Sequence, residues 1–310
     1  MNPRWRRGLR LVGSIAILLV LLVVLPSGSL QAAFAQASLQ VFIVAFTIHF
    51  LAHLVAALKW RMLMGSDGDV SVTKAFKAHF SGLIGNLSPF GMIGGDIVRA
   101  GVAISGSTRP AAIMVTSVVD RIVDTASLLI LTLIGFLWIG HASTEASVVL
   151  WGAGVLFATA LAVMFLLLTW LRRTKNGRFT AISEASHVML RQPGLIARSL
   201  VLSMGIQVAF IAANVYLGRD VGVECSFGAW LVAWPASKLA GYLPIAIAGI
   251  GVRESALIVL LGPFGGTPGP VMAASLLWQG VFIGGALLGW LAWSVIPGFA
   301  LVALRRPQAR

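Results

Sequence analysis

HFSGLIGNLSPFGMIGGDIVR, residues 79–99, opens as an apolar helix, breaks at Ser88-Pro89, and passes Gly91, Gly94 and Gly95 before placing Asp96 and Arg99. Proline supplies no backbone N–H, and paired glycines accept backbone angles closed to other residues. Apolar sequence flanks the break, which puts it at membrane depth, where only protein or a water-filled cavity satisfies the freed backbone groups. Interrupted helices with charges beside them are where transporters hold substrates. The plainer alternative is a loop joining two membrane helices.

A second stretch, GYLPIAIAGIGVRE at 241–254, repeats the design. Pro89 precedes Gly94 by five residues and Pro244 precedes Gly249 by five. Asp96 and Arg99 follow the first glycines; Arg253 and Glu254 follow Gly251. Each broken segment thus carries one acid and one arginine, and paired interruptions in two halves of a chain point to a transport site.

The composition agrees. Of 310 residues, 58% are hydrophobic and 11% charged, with a mean hydropathy of +0.93, which is that of a polytopic membrane protein. No polar stretch is long enough for a soluble catalytic domain, so residues 1–310 read as a single transmembrane domain. The lone Cys225 excludes an intramolecular disulfide and a cysteine-rich metal site. The net charge of +13 sits in inter-helix loops and tails, without interleaved aromatics, which argues for membrane orientation and against nucleic acid.

Arg4, Arg6, Arg7 and Arg10 precede an apolar run, Leu11 to Leu25, read as a retained first helix with a cytoplasmic N-terminus; a cleaved signal ending near Ala33-Phe34-Ala35 is the alternative. The linker 26–38 lacks Lys and Arg and reads as external. A span from Leu39 to Leu58 ends in Lys59-Trp60-Arg61, read as its cytoplasmic flank. His49 and His53, four apart, share a face of it and suit interhelical hydrogen bonds better than a metal. Residues 62–78 read as cytoplasmic, and Asp67-Gly68-Asp69 within them as turn chemistry. A span from Ala111 to Ile139 contains Asp120, Arg121 and Asp124, which mark either a substrate pathway or a structural ion-pair cluster. An external loop 140–147, a lipophilic span Val148 to Leu171, a basic cytoplasmic segment 172–198 and a span Ser199 to Leu217 follow. Arg219, Asp220 and Glu224 read as a short external loop, and 262–270 as another. The final span, Val271 to Ile296, leads to a basic tail with Arg305, Arg306 and Arg310.

The fold class expected from this pattern is an all-α polytopic membrane protein with eight hydrophobic segments. About six are full transmembrane helices, and two are broken re-entrant hairpins entering from opposite sides as a pseudo-inverted repeat. A conventional eight-span arrangement is the alternative. Both termini are expected on the cytoplasmic side of the cytoplasmic membrane.

Asn86-Leu87-Ser88-Pro89 with Gly94-Gly95-Asp96 and Arg99, then Asp120-Arg121 with Asp124, then Leu243-Pro244 with Gly249-Ile250-Gly251-Val252-Arg253-Glu254, resemble the lysylphosphatidylglycerol synthase transmembrane, or flippase-like, family. The resemblance spans nearly the whole chain, with the three motifs in order. It implies a multi-span lipid translocase, here without the soluble aminoacyl-transferase domain of fused members, so lysine attachment is not expected of this chain. The expected cargo is an anionic, headgroup-modified or polyprenyl-linked lipid, drawn through a polar cavity between the broken helices. Arg99 and Arg253 are the expected phosphate ligands, because guanidinium matches phosphate oxygens in a bidentate fork. Arg121 completes the site or locks to Asp124; Asp96 and Glu254 orient the arginines or carry protons; Asp120 and Asn86 complete the set. Pro89, Gly94, Gly95, Pro244, Gly249 and Gly251 serve as hinge and close-approach positions. No metal and no cofactor is expected, nor a committed catalytic constellation. A membrane subunit scaffolding a glycosyltransferase or lipid-modifying enzyme is the main alternative, with a headgroup transferase behind it.

Overall fold

A computed structural model of the chain describes residues 27–64, 70–88, 91–139, 155, 192–241 and 251–295. The described residues form nine α-helices: α1 Ser27–Gln36, α2 Leu39–Leu63, α3 Val72–Asn86, α4 Gly91–Ile104, α5 Pro110–Ile139, α6 Pro193–Asp220, α7 Phe227–Ala240, α8 Val252–Leu261 and α9 Pro268–Val295. A 3₁₀ turn, Gly262–Phe264, links the last two, and no strand occurs among the described residues. The first apolar run, the span Val148 to Leu171 apart from Val155, most of the basic segment after it, Asp67-Gly68-Asp69, Pro89, Pro244 and Gly249 lie outside the described residues.

Helix length separates two kinds of element. α2, α5, α6 and α9 run 25 to 30 residues and are apolar enough to cross a membrane. At 1.5 Å per residue they reach roughly 37–45 Å, more than the ~30 Å hydrocarbon core. α3, α4, α7 and α8 have 15, 14, 14 and 10 residues, about 15–22 Å, too short to cross. Ser71 caps α3 by accepting from Lys74 N, Ser226 caps α7 by accepting from Ala229 N, and prolines open α5, α6 and α9.

Several loop expectations are corrected. The linker 26–38 contains α1. α2 runs past Lys59 to Leu63, so Lys59 is inside the helix and 2% exposed rather than flanking it. α3 begins within the segment read as cytoplasmic, and α6 takes in residues 193–198 and ends at Asp220. Asp220 Oδ2 accepts from the backbone N–H of Ser38 at 2.7 Å, which stitches α6 to the start of α2.

α2 and α6 lie antiparallel, with Ser38 against Asp220 at one end and Leu63 clustered with Leu195 at the other. α3 and α4 fold back on each other. Their open end, where Lys74 Nζ donates to Ser105 O, sits at the Leu63 end in a cluster of Trp60, Val70, Ala103 and Ile113. α7 and α8 do the same from the Asp220 end, where Val221, Cys225, Leu261 and Val271 meet. The chain thus uses one plan twice and upside down: a long helix, two short helices, a long helix. The last helix of each unit receives the hairpin of the other on a glycine. Gly289 of α9 takes the Phe80 ring of α3, and Gly135 of α5 takes Leu231 of α7. Small residues let helices approach where lipid gives no hydrophobic drive for them to associate.

Two outcomes follow. A Cβ at Gly95 would lie 2.5 Å from Gly82 O and 1.8 Å from Asn86 Oδ1, whereas one at Gly101 meets nothing within 4 Å. Gly95→Val should therefore destabilise the purified protein by roughly 1–3 kcal/mol, read as a lower melting temperature in detergent, and Gly101→Ala should not. Cys225 is buried, and burial pushes its thiol up to about 11, so it should stay unlabelled by maleimide. Against that silent background Val72→Cys and Thr108→Cys should label from one membrane face and Thr267→Cys from the other.

Candidate functional site: a charged cavity between the two hairpins

Asn86, the last residue of α3, and Gly241, which follows α7, line one cavity of about 160 Å³. Gly91 opens α4 with φ +53° and Gly251 opens α8 with φ +88°, backbone that glycine adopts without strain. Gly94 and Gly95 lie inside α4, where they serve close packing against α3. Residues 242–250 lie outside the described residues, so Pro244 and Gly249 cannot be placed.

On the Leu63 side of the cavity, six charged side chains close into a ring. Lys59 Nζ lies 3.0 Å from Asp120 Oδ1. Asp120 Oδ2 accepts from Arg99 Nη1 at 2.8 Å. Arg99 Nη2 is 3.3 Å from Asp96 Oδ1, and Asp96 Oδ2 accepts from Arg121 Nε at 2.9 Å. Arg121 Nη1 is 3.8 Å from Asp124 Oδ2, and Asp124 Oδ1 closes the ring on Lys59. Ser203 of α6 bonds to both Asp124 and Lys59 at 2.6 Å. Three cations and three carboxylates alternate, drawn from α2, α4 and α5, so the ring is formally neutral. Arg99 also lies over the Trp60 ring at 4.9 Å.

The Asp220 side differs. Glu254 Oε2 accepts from Gly251 N at 2.6 Å, which caps α8, while its Oε1 accepts from Arg253 at 2.9 Å. Arg253 Nη2 also donates to Gln279 Oε1 at 3.1 Å. Lys238 donates to Gln207 Oε1 at 3.1 Å and lies over Phe210, with no carboxylate within 4.0 Å among the described residues. This half is two cations to one anion. Its walls also carry donors without acceptors among the described residues: Trp234 Nε1, Arg253 Nε and Gln279 Nε2.

Of the residues singled out in the sequence, Asn86, Arg99, Asp120, Arg121, Asp124 and Arg253 line the cavity. Asp96 and Glu254 stand beside the arginines. Arg99 is 4% exposed and committed to the ring, whereas Arg121 is 34% exposed. Sequence reasoning missed Lys59, read as a helix flank, and also Lys238 and His79. One signal was available for Lys59: two carboxylates beside a single arginine on α5 need another cation from elsewhere. His53 bonds to His49 within α2 and to His79 across to α3, at 3.1 and 3.0 Å. No group of His, Cys, Asp or Glu suited to a metal occurs among the described residues.

Because Asp120 is 2% exposed and holds two buried cations, Asp120→Ala should cost about 3–5 kcal/mol in detergent melting, as expected when a buried pair loses one partner. Asp96→Asn, at a carboxylate 30% exposed to solvent, should cost distinctly less.

Residues 11–289 match the family model described as the lysylphosphatidylglycerol synthase TM region. No curated protein and no solved structure matches the chain. The match runs through all four long helices and both short-helix pairs, and so through every element that lines the cavity. The chain belongs to the lysylphosphatidylglycerol synthase transmembrane-region family, a membrane family linked to lipid handling.

Proposed function

We propose that the protein is a lipid translocase whose central cavity takes the anionic headgroup of a membrane lipid while the acyl chains stay in the bilayer. The observation that carries this reading is the charge of the cavity and its surround. Five cations, Lys59, Arg99, Arg121, Lys238 and Arg253, meet four carboxylates, Asp96, Asp120, Asp124 and Glu254, and the excess falls on the Asp220 side. The sequence stretches 11–26, 148–171 and 242–250 contain no Asp, Glu, Lys, Arg or His that would cancel it. An uncompensated charge at membrane depth is costly unless a ligand answers it, and guanidinium and ammonium donors suit a phosphate.

The inverted plan supports movement through the site. The two short-helix pairs enter from opposite faces as re-entrant hairpins, and rocking one unit against the other would open the cavity to each side in turn. Arg61, Lys74, Lys77, Arg109 and Arg198 sit toward the Leu63 end and Arg219 toward the other, which favours a cytoplasmic Leu63 end. With the two apolar segments outside the described residues, the full count is six spans and two hairpins, with both termini cytoplasmic in the cell membrane. The cargo is an anionic, headgroup-modified or polyprenyl-phosphate-linked lipid.

In proteoliposomes, wild type should move labelled phosphatidylglycerol between leaflets. Lys238→Met and Arg253→Gln should slow that movement by at least about tenfold, the loss of one charge-assisted contact. Melting curves in detergent establish that each variant is folded, because Arg253→Gln leaves the buried Glu254 without its cation. Wild type that moves no lipid, with or without a proton gradient, would sink this reading in favour of a membrane scaffold for a lipid-modifying enzyme.

A further inference from the structure

His49, His53 and His79 are not needed to bind an anion, yet all three line the cavity. They form one continuous row. His49 Nε2 meets His53 Nε2 at 3.1 Å, and His53 Nδ1 meets His79 Nε2 at 3.0 Å. The outer nitrogens, Nδ1 of His49 and Nδ1 of His79, are buried and have no hydrogen-bond partner among the described residues. His49 and His79 are 1% and 7% exposed. Both nitrogens of the middle ring are used and both end nitrogens are buried and unpartnered, so the row has room for one more proton than three neutral imidazoles hold.

We propose that this row carries a proton that moves with the anionic headgroup, so that translocation is proton-linked. The proposal rests on the headgroup reading of the cavity. Three neutral imidazoles hold three N–H protons. Two make the ring-to-ring bonds and the third sits on one outer Nδ1, leaving a lone pair on the other. As the headgroup binds, the one free imidazole lone pair of the row takes a proton from hydronium: an O–H bond breaks, an N–H bond forms, and the two ring-to-ring bonds share the resulting imidazolium charge along the row. The proton returns to water when the headgroup leaves.

The surrounding charges supply the coupling. Lys59 on α2, Arg99 on α4, Arg121 and Asp124 on α5 and Lys238 on α7 face the row. From α6 and α9 it meets Phe210, Trp278 and Phe282, which do not titrate. Four cations oppose a proton on the row and one carboxylate favours it. An anion in the cavity screens the four, so proton and headgroup each raise the affinity for the other, as linkage requires.

The test is calorimetric titration of the full chain in detergent with dioctanoyl phosphatidylglycerol, in two buffers of different ionisation enthalpy, over a pH series running down from the imidazole reference value of about 6.5, because four cations oppose a proton on the free row. The expected result is uptake rising to about one proton per lipid within the series and an affinity that weakens by up to about tenfold per pH unit as pH rises through it. Dioctanoyl phosphatidylcholine should elicit neither. His53→Gln should abolish the uptake, flatten the pH dependence and weaken binding. His49→Gln, at the end of the row, should do the same, and melting curves establish that each variant is folded. Binding without proton uptake in wild type, or uptake that survives in both variants, overturns the proton site and leaves the headgroup cavity standing. No binding of phosphatidylglycerol by wild type overturns the cavity reading and the proton site with it.

Discussion

The ring Lys59–Asp120–Arg99–Asp96–Arg121–Asp124 is the constraint on which the rest depends. Six charges inside an apolar bundle would each be prohibitive alone, and a single pair would leave lone pairs and protons unanswered. Closing them into an alternating circuit answers each charge on two sides. It also fixes geometry, because α2, α4 and α5 must meet at one depth and in one register for the circuit to close. The first hairpin is short of spanning length, and its Phe76, Phe80 and Leu83 pack with Ala57 of α2 and Ala286 of α9. The ring and the glycine contacts of α3 with α4 keep it in place.

The second hairpin is anchored differently, and that difference sets the polarity of the cavity. Glu254 spends one carboxylate oxygen on the exposed backbone of Gly251 and the other on Arg253. Lys238 is left with an amide oxygen and an aromatic face. One half of the cavity is therefore formally neutral, and the other holds two cations to one carboxylate.

The exchange of hairpins between units explains why so many glycines face other helices. Gly135 and Gly289 each admit a bulky side chain from the opposite unit, while Gly280, Gly284 and Gly285 let Phe42, Phe46 and His49 approach α9. These contacts are van der Waals in kind and need close surfaces. They make the two units interdependent, so a shift in one hairpin is felt by the last helix of the other.

Much of this was legible from local pattern. Length and hydropathy determined the long helices; Ser88-Pro89 and the glycine runs determined where the first of the short pairs breaks; and intramembrane Asp and Arg marked the elements that line the cavity. Those features are local, because backbone breaks and the cost of a buried charge act on the residue itself. Partnership is not local. Lys59 looks like a helix flank until α5 is brought against it, Lys238 has no partner in its own segment until α6 supplies Gln207, and His79 is unremarkable until α3 folds beside α2. Which charge answers which, and which is left over, depends on the register of helices far apart in the chain, and only the tertiary structure decides that.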